Sequence, residues 1–207
     1  MADYRKGTVR TEWRVRIDHT WTILVDRDGV INRRVPGDYV RSAAEFEPLP
    51  GAIDALATLS RAVNRVIVVT NQAGIGKSLM SAGDLDAIHV SLCEAVAQRG
   101  GSISAVLACP HLATDGCCCR KPSVGLATQA MTMFPEIRPN RILVMGDSLT
   151  DIEFASRIGA ASILIGDRRP VPYSSSTRAW ATADSLFGAV RIVLSGSGYW
   201  ARAEPAR

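Results

Sequence analysis

Four short segments hold most of the residues in this 207-residue chain that could do chemistry. In "DRDGVIN", Asp26 and Asp28 stand two apart, with Gly29 to turn the chain. "TNQAGIGKS" brings Thr70 and Asn71, and "GDSLTD" brings Asp147 and Asp151. "CPHLATDGCCCRKP" holds four of the five cysteines, followed by Arg120 and Lys121. Three carboxylates at one point, Asp26, Asp28 and Asp147, need a cation to offset their repulsion. An all-oxygen set with nearby phosphate favours Mg2+, a hard ion that keeps several waters. One carboxylate can attack phosphorus and form an aspartyl-phosphate, which splits a hard hydrolysis into two steps. The second, pointing the same way two residues on, can protonate the leaving alcohol and then deprotonate water. The Thr70 hydroxyl, Asn71 amide and Lys121 ammonium would hold the phosphoryl oxygens. The cysteine run, with His111 inside it, reads at this level as a metal site, a disulfide cluster, a redox centre or a set of buried thiols.

Elements must exist to bring these segments together. "WTILV" (21–25), "RVIVVT" (65–70), "SAVLA" (104–108), "RILVM" (141–145) and "ASILI" (161–165) are short apolar runs rich in Val and Ile, as suits strands buried on both faces. Between them lie helical patterns. "PGAIDALATLSRAV" spaces Ile53, Leu56 and Leu59 along one face. "SAGDLDAIHVSLCEAVAQRGG" offers Ser81 as N-cap and ends at Gly100-Gly101, and "SLTDIEFASRIG" stops at Gly159. A further helix is expected around 184–194. Alternating strands and helices predict one doubly wound parallel α/β sheet, whose ligands bind where the strands end at their carboxyl edge. The four polar segments directly follow four of the five strands. A lone Asp-x-Asp is weak evidence, because Asp and Asn also favour turns and caps. Turn chemistry does not explain four such tips in succession.

Composition narrows the classes. At 47% apolar and 21% charged, the chain has the make-up of a globular domain. No apolar run approaches the roughly 20 residues that span a bilayer, and the basic residues among the first twenty are followed by no secretory h-region. A cytoplasmic protein is expected, with no membrane partner and with thiols kept reduced, which disfavours a disulfide. The net charge of +4 resides in the ends: residues 1–20 sum to +2, residues 168–207 to +4 and the body to −2. No clustered basic face emerges, so a zinc-dependent nucleic-acid module is the weaker reading. "NQAGIGKS" ends like a phosphate-binding P-loop, but that motif needs Gly where Asn71 stands, which argues against a kinase.

Taken together, "ILVDRDGV", "VIVVT", Lys121 and "MGDSLTD" resemble the four motifs of the haloacid dehalogenase (HAD) superfamily of phosphatases. "DRDGVIN", "TNQAGIG" and the Cys-Pro-His…Cys-x-Cys-Arg-Lys-Pro segment are similar to the group that contains the heptose bisphosphate and histidinol-phosphate phosphatases. The resemblance covers residues 21–167 and implies a HAD-like Rossmannoid domain there; a basic extension over 1–20 and a C-terminal loop and helix over 168–207, packed on or trailing from the same domain, fall outside it. It also implies Asp26, Asp28, Thr70 and Lys121 as catalytic residues and Mg2+ on Asp26, Asp28 and Asp147. The same resemblance implies a structural Zn2+ on Cys109, His111, Cys117 and Cys119. Three thiolates and an imidazole make a closed tetrahedral site that zinc fills without redox chemistry. Cys118 departs from the family pattern, and adjacent cysteines splay apart, so the alternate pair is the better chelate. Cys93 falls in an apolar helical pattern and reads as core.

Only 42 residues separate Asp28 from Thr70, and 51 separate Thr70 from Lys121, so neither gap has room for a cap domain. A metal clip would hold the irregular cysteine loop in shape and place Arg120 at the site. The implied substrate is a small phosphorylated sugar, acted on by a monomer. The loop through Asp38 and Tyr39 resembles that of the heptose enzymes and would face the sugar, with Asn71 and Arg120 also binding substrate. Arg120, helped by Arg33 or Arg34, would fork onto an unreacted phosphate. "CPHLATDG" is closer to the histidinol-phosphate enzymes. The balance falls on the 7-phosphate of a heptose 1,7-bisphosphate.

Overall fold

The computed structural model describes residues 17–166 and 179–195. The basic extension and parts of the C-terminal segment lie outside these residues. The elements in chain order are β1 (Thr22–Val25), α1 (Ala52–Ala62), β2 (Arg65–Asn71), α2 (Ala82–Gln98), β3 (Ala105–Cys109) and α3 (Gly125–Met133). They continue with β4 (Ile142–Gly146), α4 (Leu149–Arg157), β5 (Ala161–Ile165), β6 (Ala181–Ala183) and α5 (Leu186–Leu194).

The strands form one sheet in the order β3-β2-β1-β4-β5-β6, every pair parallel. Alternate residues of each strand feed opposite faces, as the pleat requires. Ile23, Val25, Val66, Val68, Leu143 and Met145 pack on one face with α1, α5 and the inner residues of α2. Leu24, Ile67, Val69 and Val144 pack on the other with Leu126 and Ala130 of α3 and Phe154 of α4. Both faces are covered, which is why the strand sequences are continuously apolar rather than alternating. A third, small cluster of Val40, Met80, Leu85 and Ile88 supports the loops at the carboxyl edge.

The five expected strands and four expected helices are all present within a few residues. Ser81 caps α2 with a full capping box, its side chain accepting from the Asp84 N–H while Asp84 accepts in return. Two elements were not foreseen. α3 begins at a glycine with no side-chain cap, and β6 is three residues long. Cys93 of α2 is half-buried rather than fully in the core, and burial raises its thiol pKa.

Strand order reverses between β1 and β4. The chain leaves β1 toward β2 on one side, and returns later to lay β4 on the other. Loops on either side of such a switch point open a crevice at the carboxyl edge, where ligands of doubly wound sheets bind.

Candidate active site

Asp26 is the first residue past β1, and its N–H donates to the Met145 carbonyl at 2.9 Å, tying the tip of β1 to that of β4. The loop after β3 sends Lys121 under it. The Lys121 ammonium lies 2.9 Å from Asp26 Oδ1 and 2.6 Å from Asp151 Oδ1, and donates to the Val69 carbonyl at 2.8 Å. All three side chains are buried. Burial pushes the Asp26 carboxyl up to about 7, against the pull of the Lys121 ammonium. Burial by itself would lower Lys121, but the Asp151 and Asp26 carboxylates outweigh it and hold the ammonium protonated.

Asp26, Asp147 and Asp151 bring carboxylate oxygens within 4.8 Å of one another. This differs from the expected trio, because Asp151 and not Asp28 supplies the third carboxylate. Asp28 is drawn off by its neighbours. Arg27 Nη2 lies 3.0 Å from both of its oxygens, Asn32 Nδ2 donates to Oδ1 at 2.9 Å, and Gln72 Nε2 donates to Oδ2 at 2.5 Å. Its main-chain carbonyl, however, points the right way. Arg34 Nη2 donates both to that carbonyl, at 3.1 Å, and to Asp147 Oδ1, at 2.7 Å. A carbonyl and a carboxylate oxygen therefore already converge on one positive group, as an oxygen-loving cation would require.

Two glycines make this crowding possible. Gly29 has φ +91, and a Cβ there would land inside the Asp147 carboxylate. A Cβ on Gly146 would collide with the Asp151 side chain. Ser148, the N-cap of α4, donates from both its hydroxyl and its N–H to Asp151 Oδ2, which fixes that carboxylate at the helix start.

Thr70, at the end of β2, is buried and receives a hydrogen bond from Gln72 Nε2 at 2.8 Å. Asn71 does something other than expected. Its Oδ1 accepts from the Lys121 N–H at 2.9 Å and its Nδ2 donates to the Lys121 carbonyl at 3.0 Å. The amide clamps the Lys121 backbone, across two chain segments 50 residues apart, instead of reaching out for a phosphoryl oxygen.

The cysteine loop closes on itself. Sγ of Cys109 lies 3.6 Å from Cys117 Sγ and 3.2 Å from Cys119 Sγ, and the Cys117–Cys119 sulfurs are 3.6 Å apart. His111 Nδ1 is 3.1 Å from Cys119 Sγ and 3.6 Å from Cys109 Sγ. Ligands at Zn–S distances of about 2.3 Å in a tetrahedron stand roughly 3.7 Å apart; the three separations of 3.6 Å match such edges, and the two that join Cys119 to His111 and Cys109, at 3.1 and 3.2 Å, are shorter. Cys118 is exposed and outside the group. Arg120 follows directly, with Nη1 on the His111 carbonyl at 3.3 Å.

Asp38 and Tyr39 sit on the long loop after β1, where they line a surface groove of about 800 Å³ with Arg41, Phe46 and Glu47. Asp38 is exposed and paired with Arg41 at its side chain, and Lys77 stands 5.2 Å from the Tyr39 ring centre. Their distance in the chain from Asp26 is spanned by a loop that also carries Arg34 back to Asp147. Sequence reasoning named Asp151 in "GDSLTD" without giving it a role, and gave none to Arg27 in "DRDGVIN", to Gln72 in "TNQAGIG" or to His89 in the helical pattern of α2.

Comparison with known proteins agrees with this fold. The HAD-hydrolase-like family model matches residues 118–176. A D-glycero-alpha-D-manno-heptose-1,7-bisphosphate 7-phosphatase of Mycobacterium bovis is 42% identical over 172 residues, which are 83% of this chain and 90% of the relative. The chain belongs to the HAD-like hydrolase family of these heptose bisphosphate phosphatases. A D-glycero-beta-D-manno-heptose-1,7-bisphosphate 7-phosphatase of Pseudomonas putida is 38% identical over 69% of this chain and 81% of its own length. Among solved structures, a D,D-heptose 1,7-bisphosphate phosphatase of B. bronchiseptica, complexed with magnesium and phosphate, superposes with a TM-score of 0.77. It is 32% identical and covers 86% of this chain and 99% of its own. No helix of the described residues is long and apolar enough to cross a membrane.

Proposed function

We propose that this protein is a Mg2+-dependent phosphatase that removes the 7-phosphate of a heptose 1,7-bisphosphate through an aspartyl-phosphate. The observation that carries the chemistry is the buried Asp26–Lys121–Asp151 arrangement beside Asp147 at the switch point. An Asp26 oxygen attacks phosphorus, the bond to the sugar oxygen breaks, and Asp28 gives its proton to that oxygen. Water then attacks phosphorus, the acyl phosphate bond breaks, and Asp28 takes the proton back as inorganic phosphate forms. Lys121 and Thr70 hold the phosphoryl oxygens and Asn71 keeps Lys121 in place. Asp26 and Asp147 through their carboxylates, and Asp28 through its main-chain carbonyl, would hold Mg2+. Bound there, the ion supplies positive charge that offsets the carboxylates and the phosphoryl oxygens.

Zn2+ on Cys109, His111, Cys117 and Cys119 is structural in this reading, holding a loop of irregular backbone that has little core of its own. It presents Arg120 to the phosphate that does not react, while Asp38 and Tyr39 meet the sugar. The greater likeness to the alpha-anomer relatives, 42% against 38% identity, favours the alpha anomer.

The deciding measurement is kcat/KM with Mg2+ on both anomers of the heptose 1,7-bisphosphate and on histidinol phosphate. The expected order is alpha, then beta, then histidinol phosphate. A preference for histidinol phosphate overturns the substrate and leaves the chemistry standing.

A further inference from the structure

We propose that His89 of α2 is a positioning residue that acts through Arg27 on Asp28, an inference that rests on Asp28 being the proton-transfer group of the reaction proposed above. Arg27 lies between Asp26 and Asp28 in the chain, yet its side chain is fully buried. A buried guanidinium is costly unless its donors find partners. One edge of its fork, Nε and Nη2, meets Asp28 at 3.3 and 3.0 Å. The other edge, Nη1, faces His89 Nε2 at 3.3 Å. Among the described residues, Nη1 meets no other side chain.

The chemistry of that contact requires an acceptor. Burial first, and the Arg27 charge second, push the imidazole down to about 4, so at neutral pH His89 is uncharged. Its Nε2 can then accept from Arg27 with the proton on Nδ1, a tautomer assigned from the partner. With Nη1 held at His89, the guanidinium plane is fixed and its opposite edge squares onto the Asp28 carboxylate. Asn32 and Gln72 complete the cradle from the sides. The sheet thus reaches Asp28 from β1 and β2, and α2 steadies it from behind through a residue that touches no substrate. Without an acceptor at position 89, Arg27 is free to rotate and Asp28 loses its aim. Misplacements on this scale cost up to about 100-fold in rate.

Leaving-group dependence tests this. kcat/KM reports only steps through the first P–O cleavage, and a nitrophenolate leaving group needs no proton whereas a sugar alkoxide does. His89→Leu should lower kcat/KM on the heptose bisphosphate by about 10- to 100-fold, chiefly through kcat, while p-nitrophenyl phosphate changes by less than about 2-fold. His89→Gln, which restores an acceptor near Nε2, should recover most of the loss. Equal losses on both esters, no loss on either, or failure of Gln to recover activity overturns the role of His89. Wild-type protein that cleaves neither ester overturns the proposed reaction, and the role of His89 with it; the two failures are thereby told apart.

Discussion

Lys121 Nζ and Asp151 Oδ1 face each other at 2.6 Å with both side chains almost completely buried, joining the loop after β3 to the start of α4. Pairs of this kind contribute little net stability over an apolar pair, but removing Asp151 leaves the buried Lys121 ammonium with Asp26 alone to offset its charge. Asp151→Ala should therefore cost about 3 kcal/mol of unfolding free energy, read from urea denaturation. A cost under about 1 kcal/mol, the size of a surface pair, would contradict the burial.

The nucleophile and the proton-transfer group separate by their phosphoenzyme. Asp26→Asn should abolish turnover with the fold intact, because an amide cannot attack phosphorus. Asp28→Asn should lose most activity yet accumulate acid-stable phosphoprotein, since water attack slows. Near-normal kcat in Asp26→Asn would rule out the covalent route.

The metal loop predicts a cysteine hierarchy. Purified protein should hold about one zinc per chain and still need added Mg2+. Cys117→Ser or Cys119→Ser should lower zinc content and Tm together, whereas exposed Cys118→Ser should be nearly silent. Full zinc in the Cys119 variant with loss in the Cys118 variant would reverse the ligand choice.

Gly29 can be tested sterically. Any Cβ there meets the Asp147 carboxylate on a backbone already at φ +91, so Gly29→Ala should displace Asp147. Calorimetric titration should show Mg2+ affinity falling by at least about 10-fold, the scale of losing a supporting contact at a metal site. Unchanged affinity would remove Asp147 from the cation site.

His89 gives a pH signature in stability. Its folded-state value near 4 lies below the ordinary 6.5, so between these values the unfolded chain binds a proton that the fold refuses. Stability from this group is fully present above about 6.5 and is lost as pH falls toward 4. The Tm of the wild type should drop on acidification from about 6.5 to 5, and His89→Gln should drop less. Parallel curves would mean that the imidazole titrates alike in both states.

Much of the fold was legible because its signals are local. Continuous Val/Ile runs such as "RVIVVT" suit strands covered on both faces, and Ser81 ahead of a helical pattern reads as an N-cap. The tips after successive strands pointed to one crevice, because a doubly wound sheet delivers its loops to a common edge. α3 and β6 were missed for the same reason: one lacks a cap and the other is too short to show a period. Only the tertiary structure decided which side chains converge. Asp28 turns to Arg27, Asn32 and Gln72, and Asp151 takes its place beside Asp26 and Asp147. Asn71 folds its amide onto Lys121, 50 residues away. Residue type says what a group can do; its direction is set by desolvation and by partners that the chain brings near only when it folds.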